Sequence, residues 1–286
     1  MLSLYVCNLI IPGDPETVTL ATPAGPWHLI KMPNFAATKS RIASNSLRPE
    51  EQPIGETYFL ENPVGMMNGT VAAVDRAIEE LSPLLLAASY ATGMSVTVQR
   101  ATMGSEISIV HATHYWPRAR AMGSGSPVIN TTAEFVHLVE AFVQAWPTVG
   151  QIEKVRLLVH TWLDALACWS MEDLYLSATT LLQVIAATEA AKQGTKMSFY
   201  SAVTAAAHRM NIPVLSQDFK DMRNELVHDG QLIGSRFSGP REACEQVVAD
   251  VLNWIDQYIH SALSLGSVAK SRFQPNDFAG LNAYSI

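Results

Sequence analysis

The hydrophobic period of this chain changes near Thr131, and that change restricts its fold more than any other feature. Upstream, "LSLYVCNLII", "TVTLAT" and "WHLIKM" are short, apolar and β-branched, with Pro and Gly between them, which is the pattern of strands. The polar stretch 33–53 is predicted to form a long loop. "NGTVAAVDRAIEELSPLLLAASYATG" follows a helical period, with Thr70 as N-cap and Ser82-Pro83 as a kink or a restart. "SVTVQRA" and "SEISIVHATHYW" predict a hairpin around Met103-Gly104, and "RARAMGSGSPV" is loop chemistry.

Downstream, the two-residue period disappears. Thr131 and Glu134 form a capping-box pattern. Phe135, Leu138, Val139, Phe142, Val143 and Trp146 then recur at three- and four-residue steps, which marks one apolar helix face. Pro147 to Gly150 interrupts the chain. Five more helical segments follow, beginning at Gln151, Met171, Met197, Gln217 and Pro240. Ser170 caps the second of these and Gly194 stops it. Trp162, Leu163, Leu166 and Trp169 lie at helical spacing and are most simply core. Long helices with short connections pack as antiparallel neighbours. The prediction is a mixed α+β N-terminal domain over residues 1–131, a connecting helix over 132–146, an all-α helical bundle over 147–265 and an irregular tail over 266–286.

Composition narrows the function classes. Apolar residues make up 48% of the 286 and charged residues 16%, which is globular rather than disordered. No apolar run reaches membrane-spanning length without a charge or a Pro/Gly interruption, so no membrane partner is expected. The N-terminus has no basic residue before its apolar stretch and makes a poor signal peptide. Cys7, Cys168 and Cys244 are far apart and odd in number, which fits a reducing cytoplasm. The net charge of −7 gives no sign of a basic face for holding nucleic acid, so such a role has to be local, transient or made by a dimer. Walker A, GxGxxG, HExxH and GxSxG motifs are absent, and neither a cofactor nor a metal is expected.

Two stretches carry chemistry. In "HATHYWPRAR", residues 111–120, His111 and His114 point to opposite faces if the segment is a strand, so they chelate one metal poorly. Tyr115, Trp116, Arg118 and Arg120 mix aromatic rings with cations, which can stack on bases and touch phosphates. The plain alternative is a strand end and a loop, with Trp116 packed before Pro117.

The second stretch is "DMRNELVHDG", residues 221–230. It places Arg223, Asn224 and His228 within one and a half helical turns. Asn224 and His228 are four apart and share a helix face, and the long Arg223 side chain reaches that face. Histidine in the last turn lies at the negative end of the helix dipole, which favours its protonated form. The plain alternative is a charged helix end with Gly230 as its stop. Twelve Arg and eight His give chance matches to such a pattern, so its place in the fold decides.

On "RNELVH", and on the preceding helices with their "LDALACW" and "LLQVIAATEAA" seams, the second half of the chain resembles a HEPN domain. These are helical bundles with an R-x4-6-H motif near the start of a late helix and often a polar residue after the Arg. The form here is most like HEPN ribonucleases of bacterial defence and abortive infection. The resemblance implies a metal-independent endoribonuclease, with RNA as substrate and a homodimer through the bundle. It makes His228 the general acid or base, Arg223 the phosphate clamp and Asn224 an orienting group. One His cannot easily serve as acid and base at once, and a symmetric dimer brings in a second. Some toxin members carry a Tyr two residues after the His that a partner nucleotidyltransferase modifies, whereas this chain has Gly230 there. The bundle carries nine Lys/Arg against thirteen Asp/Glu between residues 147 and 268, so unassisted RNA binding is expected to be weak. The rival expectation is an inactive HEPN module for dimerisation, or for nucleotide or RNA binding. In either case the N-terminal domain is expected to sense or bind an unidentified ligand or protein.

Overall fold

The computed structural model describes residues 2–43, 55–63, 71–103, 106–109, 127–166, 168 and 170–278. The chain divides into two compact units, Met1–Pro147 and Thr148–Ile286. The first is α+β and the second is helical, as the change of period predicts.

The first unit is built on β1 (Leu2–Cys7), β2 (Thr17–Thr22), β3 (Gly25–Lys31), β4 (Glu56–Asn62), β5 (Thr97–Met103) and β6 (Glu106–Ile109). They form one sheet in the order β2-β3-β4-β1-β5-β6, with every neighbouring pair antiparallel. The polar stretch expected to be a loop contains a helix, α1 (Phe35–Ala43), which packs on β4. Only Phe35 and Thr38 of α1 are buried, so its sequence carries a weak amphipathic signal. Helix α2 (Val71–Thr92) runs through Pro83 without restarting. The buried Glu80 of α2 accepts hydrogen bonds from Trp27 Nε1 at 2.8 Å, Ala24 N at 3.2 Å and the Thr22 hydroxyl. A buried carboxylate with three donors is satisfied, and it ties α2 to the β2–β3 hairpin.

Helix α3 (Thr132–Val149) opens with the predicted capping box. Glu134 N donates to Thr131 Oγ1 at 3.2 Å, and Thr131 N donates to Glu134 Oε2 at 3.1 Å. The helix includes Pro147 and ends at Val149, inside the expected Pro147–Gly150 interruption. Thr132 Oγ1 donates to Pro12 O at 2.7 Å and Ala21 N donates to Glu140 Oε1 at 2.6 Å, which fasten α3 to the sheet unit.

The second unit contains α4 (Val155–Ala165), α5 (Met171–Gln193), α6 (Phe199–Met210), α7 (Asp218–Asp229) and α8 (Arg241–Ala262). Helix α5 packs against the other four. Ser170 caps it by accepting from Asp173 N at 3.1 Å, and Gly194 ends it at φ 64°. By length and composition α5 meets the minimum for a membrane span, but 56% of that window is buried in the bundle. The core combines Trp162 and Leu158 of α4, Leu181 and Ile185 of α5, Phe219 and Met222 of α7, and Leu252 and Ile255 of α8. Each side chain of this size contributes about 1.5–3 kcal/mol on full burial. The described part of the tail, residues 266–278, contains a short 3-10 turn at Pro275–Phe278. Arg272 Nε donates to Asp256 Oδ2 at 2.9 Å with both residues buried, and Phe273 packs edge-on to Trp162.

Candidate functional site

Helix α7 is held at both ends, and this holding positions the R-x4-H segment. At its start, the buried Tyr175 hydroxyl of α5 donates to Phe219 O at 2.6 Å. Burial pushes the Tyr175 phenol well above its ordinary range, so it stays a donor. Asp218 and Asp221 lie in the first turn, where they complement the helix dipole. At its end, Gly230 takes φ 72° and its N–H donates to Leu226 O at 3.2 Å, the left-handed stop expected from the sequence.

Between these points, Glu225 points inward and is 1% exposed. Its carboxylate accepts from the backbone N–H of Arg236, from the Arg236 guanidinium at 3.4 Å and from Ser235 Oγ at 3.5 Å. Arg236 Nη1 also donates to Asp229 Oδ2 at 2.8 Å. Glu225 therefore fastens the loop after α7 against the helix. A Cβ on Gly234 would stand 2.7 Å from Glu225 Cδ, so this position has no room for a side chain.

The other motif residues face outward. Arg223 is half-buried, with its guanidinium carbon 5.5 Å from the Phe199 ring centroid and its Nη1 donating to Asn224 Oδ1 at 3.4 Å. Arg223 and Asn224 line a cleft of about 400 Å³ between α5, α6 and α7. His228 stands exposed one turn further along, outside that lining, beside Asp229 and the 46% exposed Val227. The structure thus brings Arg223 and Asn224 into one cleft and sets His228 at its end of the helix.

Two cleft residues escaped the sequence reading. Lys220, three residues before Arg223, lines the same cleft, and its helical spacing was a usable signal. Gln183 of α5 also lines it, and nothing in the local sequence links it to α7. The Tyr115, Trp116, Arg118 and Arg120 candidates, with His111 and His114, lie outside the described residues.

The remaining candidates are inert or undefined. The buried Cys244 thiol is pushed up to about 12 by burial, and burial also raises Cys168, so neither is a ready nucleophile. Among the described residues, no group of three or more His, Cys, Asp or Glu is placed to hold a metal ion. Compared with protein-family models, curated proteins and solved structures, the chain matches none.

Proposed function

We propose that this chain is a HEPN-type endoribonuclease that works without metal as a homodimer, in a cytoplasmic toxin or anti-phage role. One observation carries the reading. Arg223 and Asn224 of the R-x4-H segment open onto a cleft that no carboxylate lines among the described residues, and His228 stands exposed on the next turn.

The chemistry follows from those groups. A base takes the proton of an RNA 2′-hydroxyl, and the 2′-oxygen bonds to the adjacent phosphorus. The bond from phosphorus to the 5′-oxygen breaks, and an acid protonates that leaving oxygen. The products are a 2′,3′-cyclic phosphate and a 5′-hydroxyl. Arg223 donates to the non-bridging oxygens as their charge grows, a task its planar, permanently charged fork suits. Asn224, joined to Arg223 by a hydrogen bond, orients it. His228 supplies the acid or the base, and His228 of a second copy supplies the other. Val227 beside His228 is exposed and so is open to an apolar contact with that copy.

A second reading is favoured by a specific observation: His228 lies outside the cleft that Arg223 lines. On that reading the bundle is a non-catalytic HEPN module that dimerises or binds a nucleotide or RNA. Total RNA incubated in EDTA with wild type and His228→Ala separates the two. The enzyme reading expects cyclic-phosphate ends from wild type only, with both proteins dimeric. Identical RNA profiles from the two proteins would leave only the non-catalytic module.

The N-terminal unit is read as a sensor that restrains cleavage until a ligand or protein binds, since a free ribonuclease harms its host. Equal cleavage by the full chain and by residues 147–286 alone would contradict that restraint.

A further inference from the structure

The cations of the helical unit fall into three groups. Lys192, Arg209, Arg236, Arg241 and Arg272 each form an ion pair with a carboxylate. Lys154, Arg156, Lys196 and Lys270 are exposed, where water solvates them. Lys220 and Arg223 are different. Both are partly buried, and neither forms an ion pair among the described residues. They lie three apart on α7 and line the same cleft, which has no acidic residue in its described lining.

Burying part of a cation without an anion costs free energy, and in a chain of net charge −7 carboxylates are plentiful. Two such cations side by side fit an anion brought from outside. Phosphate suits them, since Arg presents a planar fork and Lys a compact point charge.

The α5 and α6 part of the lining carries small apolar side chains, Ala186, Ala187 and Ala190 of α5 and Ala202 of α6, together with the larger Met197 and Phe199. The carboxamides of Gln183 and Asn224 add donors and acceptors to the lining. A volume of about 400 Å³ falls at the small end of ligand-sized clefts. Paired cations, an alanine-rich apolar lining and amides suit the phosphate, ring face and ring edge of one nucleotide.

We propose that the α5–α6–α7 cleft is a subsite for a single nucleotide, its phosphate held by Lys220 and Arg223 and its base lying on the alanine-rich lining within reach of Gln183. This assignment rests on the reading of Arg223 as a phosphate clamp, but it needs no cleavage. It adds Lys220 as a second phosphate contact and Gln183 as a reader of the base edge. The nucleotide is either free or one unit of an RNA strand, and both share this chemistry.

The test is equilibrium binding to the full chain. The probes are a fluorescein-labelled 2′-O-methyl RNA hexamer, which lacks the attacking hydroxyl, and unlabelled AMP and UMP as competitors. Lys220→Ala is expected to weaken hexamer binding about tenfold. It also lowers the slope of log affinity against log salt by about 0.7, the loss of one phosphate contact on a single strand. Ala187→Leu, at an exposed position, fills the cleft without touching the core and is expected to weaken binding by a similar factor with an unchanged Tm. Displacement of the hexamer by AMP or UMP at comparable concentration assigns a free nucleotide, and failure to displace assigns a strand. Hexamer binding by both variants equal to wild type, with fold and dimer intact, overturns the subsite even if wild type cuts RNA. No hexamer binding by wild type overturns it as well. Lys220-dependent binding without any cleavage upholds the subsite and removes the enzyme reading.

Discussion

Two polar clusters in the helical unit use the same residue types to opposite ends. In one, Arg209 donates to Glu189 Oε2 at 2.7 Å and to Glu153 Oε1 at 3.1 Å, Tyr258 donates to Glu153 Oε2 at 2.9 Å, and Lys192 pairs with Glu153. Burial pushes the Glu153 carboxyl upward, but hydrogen bonds from Lys192, Tyr258 and Arg209 outweigh it and hold the group below its ordinary range. In the other, Lys220 and Arg223 face a cleft with no anion in its described lining. The first cluster joins α5, α6, α8 and the turn before α4, and its charges satisfy one another. The second leaves its charges without an ion pair among the described residues. Charge alone does not mark a site, and the presence or absence of a carboxylate partner among the described residues separates the two.

The largest effect that would sharpen this contrast is on stability. Arg209→Ala takes a cation from Glu153 and Glu189, which are 6% and 1% exposed, and leaves Glu153 with Lys192 and Tyr258 and Glu189 with the Gln193 amide. Arg209 itself is about a third exposed and partly screened, so the expected loss is about 2–3 kcal/mol in urea denaturation. A loss too small to measure would show that the network does not hold the bundle.

Acid gives a similar but pH-dependent effect. Burial lowers the His260 imidazole to about 4, with Asp256 opposing the shift. The unfolded chain then binds a proton that the folded chain refuses. Stability is complete above about pH 6.5 and falls as the pH drops toward about 4, by up to about 3 kcal/mol. His260→Gln is expected to flatten the denaturation midpoint across that window, and an unchanged slope would assign it to other groups.

Gly234→Ala forces a methyl group against the Glu225 carboxylate. The expected cost is about 1–3 kcal/mol, read from the thermal midpoint. Asp229→Ala is the smallest. Its pair with Arg236 is solvent-exposed, and no measurable change in Tm is expected. A large change would place that ion pair among the structural ones.

The division into a sheet unit and a helical unit was legible because the hydrophobic period changes from two to between three and four. Helices α5 and α6 were legible for the same reason, helped by Ser170 and Gly194. Strand β4 escaped because "ETYFLEN" is flanked by Glu and Asn and is buried by its neighbours β1 and β3, which lie far away in sequence. Pro83 does not restart the helix. One lost hydrogen bond is outweighed where the next turn is buried, as Leu84, Leu85 and Leu86 are. In the site, the Arg223, Asn224 and His228 spacing could be read locally. The alanine-rich lining and Gln183 could not, since they come from α5 and α6 and meet α7 only through tertiary packing.

The most direct measurement takes both readouts from one Arg223→Ala preparation: the urea midpoint and the rate of RNA cleavage in EDTA. An arginine kept for a ligand predicts a midpoint close to wild type, since its contact with the Phe199 ring and its long hydrogen bond to Asn224 are lost but no ion pair is. It also predicts cleavage reduced at least about a hundredfold. A lowered midpoint with cleavage unchanged would make Arg223 one more structural cation and would contradict the account.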